Sequence, residues 1–144
     1  FINEESTATT YKPADITVTL AHELGHYLGL HHVFSETERG NSCEDTDYCT
    51  DTPTYNKEAY DMNYAYIAAN EPENFTFANL VNRENCLTGE SFVSHNIMDY
   101  AISHSDQFTP EQRARIRHVL LYSPLIPGPK PFRRQTPVLH QTDL

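Results

Sequence analysis

Eleven residues, His22 to His32 (HELGHYLGLHH), constrain this chain more than anything else in it. Two histidines four positions apart on a helix stand one turn apart on the same face, so His22 and His26 can point both rings at a single ion. Gly29, three residues later, is a place for the helix to stop, because glycine enters the left-handed conformation freely. The chain can then turn back and present His32 as a third nitrogen. Three nitrogens leave one position of a tetrahedral zinc ion open to water, which is the pattern of a catalytic rather than a structural site. Glu23 is not needed as a ligand and is placed to act as the base toward that water. A bare His-Glu-x-x-His pair could be two ordinary surface or core histidines. The added glycine and third histidine have no reason to accompany an ordinary amphipathic helix. His31, one residue out of phase, is expected to be solvated or to bond a neighbour.

The rest of the composition bounds the setting of this motif. With 144 residues there is one domain's worth of chain and a single modest core. The sequence opens at Phe1, and the residues ahead of His22 (FINEESTATTYKPADITVTLA) contain no alternating apolar run long enough for a covering sheet. The chain therefore reads as a fragment or processed product. A sheet that buries the other face of the motif helix is expected upstream of this sequence or in a partner chain. The net charge of −10 supplies no basic stripe for phosphates, which argues against nucleic acid and suits calcium or cationic peptides. No apolar run approaches the roughly 20 residues of a membrane span, and no secretory leader is visible. Cys43, Cys49 and Cys86 allow one disulfide and one thiol, or three reduced thiols. Cys43 and Cys49 are too widely spaced for the usual zinc knuckle.

Local patterns predict mostly helices and irregular loops. A first helix starts near Asp15, a reasonable N-cap, takes Ile16, Val18, Leu20, Ala21, Leu24 and Leu28 as apolar positions, and ends near Gly29. SETERGNS reads as a surface loop turned by Gly40 and Asn41. CEDTDYCTDTPTYN gathers Glu44, Asp45, Asp47 and Asp51 with several threonines, a density of hard oxygens that suits calcium without matching an EF-hand and equally suits a solvated acidic loop. A helix is expected from about Asn56 to Asn70, its tyrosines lining a packed surface. FTFANLV could be a strand or a short helix. A compact turn follows around Met98. FTPEQRARIRHVLLY is a helix with Thr109 as N-cap, Pro110 at the first position, Gln112 closing a capping box and Ile116, Val119 and Leu120 as its buried stripe. Residues 124–144 hold five prolines and read as an extended tail with a weak positive patch at Lys130, Arg133 and Arg134.

Taken in order, HELGHYLGLHHVF, DYCTDTP, NIMDY and FTPEQ resemble the pappalysin family of metzincin zinc peptidases, over roughly residues 15 to 121. The resemblance implies an α+β fold, the C-terminal part of a metzincin catalytic domain over residues 1–123, with the N-terminal sheet half absent from this sequence. It implies His22, His26 and His32 as zinc ligands, Glu23 as general base, and Met98 as the methionine of the turn beneath the metal. Tyr100 resembles the tyrosine that donates a hydrogen bond to the oxyanion in related enzymes. DYCTDTP looks like the family's calcium loop, which implicates Asp47, Asp51 and Thr52. The family pattern also implies a Cys43–Cys86 disulfide, leaving Cys49 as a buried thiol. Departures are Val33, where many members have threonine, and the lack of a further cysteine after Tyr100. Asp106, the only acid shortly after Tyr100, is the candidate for selecting basic side chains after the cut.

The function expected is that of a zinc-dependent, calcium-supported endopeptidase, secreted or held at a cell surface or periplasm, acting on proteins or peptides. A gluzincin would take its third ligand from a downstream glutamate, and Gly29 with His32 speaks against that. A zinc-stabilised binding module without turnover, or an inactive fragment of a peptidase, is the alternative from another class.

Overall fold

The computed structural model describes residues 13–36 and 43–131. The expected lead-in before Pro13, the turn at Gly40 and Asn41, and Arg133 and Arg134 lie outside the described residues. Four helices and one two-stranded sheet follow in the order α1 (Pro13–Tyr27), α2 (Lys57–Asn70), a 3-10 turn (Pro72–Asn74), α3 (Phe77–Leu80), β1 (Asn82–Glu84), β2 (Ser91–Val93) and α4 (Pro110–Tyr122). The mixture of helices with a small sheet is consistent with a partial zincin-like domain.

Helix α1 begins at Pro13, so Asp15 lies inside its first turn rather than at the cap. Proline lacks the N–H that a first turn leaves unpaired, and its fixed φ suits that position. At the other end Gly29 takes φ +88°. The Leu30 N–H reaches back to the Gly25 carbonyl at 2.9 Å and the Gly29 N–H to that of His26 at 3.0 Å. This is the paired closure of a Schellman motif. It reverses the chain directly after the second histidine.

The FTFANLV ambiguity resolves as the short helix α3, capped by the Thr76 side chain, and strand β1 begins just after the segment, at Asn82. β1 pairs antiparallel with β2, Arg83 opposite Phe92. Helix α2 starts one residue after its cap Asn56 and buries no residue of its own. Its Met62 and Tyr66 are exposed, while Tyr55 ahead of it is buried. The expectation of a packed tyrosine surface therefore holds for Tyr55 and half-buried Tyr60 but not for Tyr66. Helix α4 has the expected capping box between Thr109 and Gln112. Ile116 packs on the core, whereas Leu120 faces solvent and is not part of the buried stripe. Residues 124–131 form no helix or strand. Cys43 and Cys86 form a disulfide, and Cys49 is a buried thiol whose pKa burial pushes up to about 11. Among the described residues no helix is long and apolar enough to cross a membrane.

Two small interiors position the segment around Met98. One is apolar, with Leu30, Val33 and fully buried Met98 contacted by Phe108 and Ile116. The other is polar. Asp99, completely buried, accepts hydrogen bonds from the Tyr55 hydroxyl at 2.5 Å, the Ala101 N–H at 3.1 Å and the Ser94 hydroxyl, and it pairs with Arg83 at 3.4 Å. Arg83 also donates to the carbonyls of Leu80 and Ile102 and lies over the Tyr60 ring at 4.0 Å. Burial, then the Asp99 charge, raises the Tyr55 pKa far above its ordinary value, so the phenol remains a donor. A buried carboxylate with four partners ties the turn from behind to β1 and to the segment before α2. Removing one member of such a pair leaves an uncompensated charge. In the full-length protein, Arg83→Met is expected to lower unfolding free energy by about 3–5 kcal/mol in urea denaturation; a loss below about 1 kcal/mol would contradict this role.

Candidate metal centre

The three histidines converge. His22 and His26 lie on one face of α1, and the Gly29 reversal returns His32 to them. Their Nε2 atoms form a nearly equilateral triangle, with edges of 3.2 Å (His22 to His32), 3.1 Å (His22 to His26) and 3.1 Å (His26 to His32). The centre of such a triangle is about 1.8 Å from each nitrogen. That spacing would let the three nitrogens hold a zinc ion, whose bonds to imidazole are roughly 2.0–2.1 Å long. Among the described residues this is the one group of three or more His, Cys, Asp or Glu side chains able to hold a metal ion.

The hydrogen bonds behind the rings decide whether a cation fits. The Nδ1 of His22 faces the Ile97 carbonyl at 2.8 Å, that of His26 the Leu30 carbonyl at 3.0 Å, and that of His32 the Glu36 carboxylate at 2.5 Å. Carbonyl and carboxylate oxygens only accept, so each Nδ1 carries the proton and each Nε2 presents a lone pair. Three lone pairs pointed at one another repel unless a cation lies between them. His22 is almost fully buried, and burial lowers its pKa below the usual 6.5 against the Ile97 hydrogen bond, which raises it. The ring is held neutral, as a metal ligand must be.

Glu23, next along α1, is exposed. Tyr100 is exposed too, its ring centre 5.8 Å from that of His32 and 6.2 Å from that of His22. Beside it a pocket of about 240 Å³ opens, walled by Tyr60, Tyr64 and Tyr100 and edged by the Lys57–Asp61 ion pair. Met98 lies under α1. A Cβ added at Gly25 would stand 2.4 Å from its sulfur, so any larger residue there must displace the Met98 side chain or the helix. His31 points away and meets the edge of the Tyr48 ring at 5.4 Å.

Other sequence-predicted residues are placed elsewhere. Asp47 and Thr52 come together, but as partners: the Thr52 hydroxyl donates to Asp47 at 2.6 Å and the Cys49 N–H at 2.9 Å. Burial raises the Asp47 pKa to about 6, against these hydrogen bonds. Asp51 turns toward α4 and accepts the Glu111 N–H at 2.9 Å. Asp106 pairs with the His95 ring at 3.1 Å. Two residues escaped the sequence reading. Gly25 was hidden because helical patterns do not reveal what lies against a glycine, and Glu36 because its pairing with His32 depends on a non-helical backbone.

Three imidazoles whose Nδ1 atoms each face an acceptor and whose Nε2 atoms converge form a group able to hold a metal ion. The comparisons with known proteins agree. Residues 3–121 match the model of the peptidase family described as pregnancy-associated plasma protein-A, and the chain belongs to that pappalysin family. It is 36% identical over 99 residues to an extracellular metalloprotease of Arthroderma benhamiae, and equally to one of Trichophyton verrucosum, covering 68% of this chain and 29% of each relative. An extracellular metalloprotease 1 of Coccidioides posadasii is 30% identical over 105 residues, 72% of this chain and 30% of its own length. The chain thus spans under a third of these relatives. No solved structure matches it.

The Gly25–Met98 contact yields a stability test. Gly25→Ala must displace the sulfur or the helix and is expected to cost about 1–3 kcal/mol in unfolding free energy. Because the two residues touch, the Gly25→Ala/Met98→Ala double variant should lose less than the sum of the single losses. Strict additivity in denaturant titrations would contradict the packing described.

Proposed function

We propose that this chain supplies the zinc-binding and proton-transferring part of a secreted metzincin endopeptidase. The observation that carries the reading is the convergence of three Nε2 lone pairs, each fixed by an acceptor behind its ring. His22, His26 and His32 hold the ion. Zinc bound there supplies a Lewis acid that polarises the scissile carbonyl and lowers the pKa of a water to roughly 7. Glu23 accepts the proton of the attacking water and returns it to the leaving amine. Tyr100, standing at the edge of the triad, donates its phenol hydrogen to the oxygen on which negative charge develops. Met98 acts as the Met-turn residue, an apolar floor beneath the ligands. Substrates are proteins or peptides, and the relatives' description as extracellular supports action outside the cell.

The rest of the catalytic domain is proposed to lie in a part of the protein not included in these residues. Ile16, Leu20, Leu24 and Tyr27 make an apolar stripe along α1 and are 58%, 57%, 47% and 61% exposed. Four large apolar side chains at helical spacing need a partner surface, and an N-terminal sheet half would cover them. This exposure, with the short span relative to its relatives, favours the reading that the piece alone is inactive although its ligands are complete. The calcium expectation, which rests on loop composition and on the family resemblance, is carried no further.

In the full-length protein, casein hydrolysis should stop with a zinc chelator and return with added zinc. Glu23→Ala should lower kcat/KM by about 10²–10⁴-fold. Tyr100→Phe should lower kcat by about 10²–10³-fold with unchanged zinc content. Digestion that survives Glu23→Ala would contradict the assignment.

A further inference from the structure

The three candidate ligands are not held alike. His22 and His26 give their Nδ1 protons to backbone carbonyls of Ile97 and Leu30, which no side-chain substitution removes. His32 gives its own to a side chain, with Glu36 Oε1 2.5 Å from Nδ1. We propose that Glu36 is a positioning residue of the metal centre, whose carboxylate fixes the tautomer and rotation of His32 and strengthens its Nε2 as a donor. The inference rests on the reading of the triad as a zinc site.

The pair is not a by-product of helical spacing. Residues 30–36 form no helix, so the four-residue separation brings the groups together only through the path of this segment. That path is itself clamped. The Glu36 N–H donates to the Thr46 hydroxyl at 3.1 Å, and the same hydroxyl donates to the Phe34 carbonyl at 3.3 Å. The Glu44 N–H donates to the Ser35 hydroxyl at 3.1 Å. The clamping residues follow Cys43, which the disulfide to Cys86 anchors. The Phe34 ring stacks on His32 with centres 4.7 Å apart and planes 17° apart, which sets the plane of the imidazole but leaves its two nitrogens undistinguished. Glu36 makes that distinction. An imidazole whose rear N–H meets a carboxylate is also more basic at its other nitrogen, and loss of such a partner typically weakens metal binding 10–100-fold.

The test is the zinc dissociation constant of the full-length protein, measured by competition with a chromophoric chelator. Glu36→Ala should weaken binding about 10–100-fold. Glu36→Gln, whose amide oxygen can still accept the Nδ1 proton, should lose less. In a His32→Ala background, Glu36→Ala should cost nothing further, because its target is gone. Equal affinity of wild type and Glu36→Ala overturns the inference, as does a full loss that persists without His32. Wild-type protein that binds no zinc overturns the metal reading itself and this inference with it.

Discussion

Three imidazole lone pairs aimed at one point are held there by oxygens behind the rings, and the surrounding fold is arranged to place those oxygens. One belongs to Leu30, just past the reversal that ends α1, one to the turn around Met98, and one to the segment that follows the third histidine. Each comes from a different stretch of chain, so the site exists only when all three stretches are docked. The Schellman closure at Gly29, the buried Arg83–Asp99 pair and the clamp from the acidic loop each secure one of them. Buried hydrogen-bonded groups such as Asp99 are costly to disturb, and they seat the centre together with a small apolar core of Leu30, Val33 and Met98.

Much of this was legible in the residues. The ligand spacing, the helix stop at Gly29 and the capping box of α4 are local devices, and local devices are written in consecutive residues. The family resemblance added the Cys43–Cys86 pairing, which three cysteines alone left open. What escaped depends on distant parts of the chain. Nothing in β1 announces that Arg83 is buried, since arginine is ordinarily a surface residue; its counter-charge Asp99 lies beyond β2. Leu120 was grouped with the stripe of α4 by periodicity, yet only the neighbours of a helix decide how wide its buried face is. The acidic loop illustrates the same limit: its composition does not reveal that Asp47 accepts from Thr52 and Cys49 and that Asp51 accepts from Glu111.

Helix α1 faces two ways. Its inner side meets Met98 so closely that any side chain at Gly25 must displace Met98 or the helix; its outer side displays Ile16, Leu20, Leu24 and Tyr27 to solvent. The three imidazoles converge on the inner side, while the outer face of α1 stays uncovered among the described residues.

The measurement that bears most directly on this account is X-ray absorption at the zinc edge on the full-length protein. Three imidazole nitrogens and one oxygen at roughly 2.0–2.1 Å are predicted. A sulfur ligand, or scattering from only two imidazoles, would contradict it.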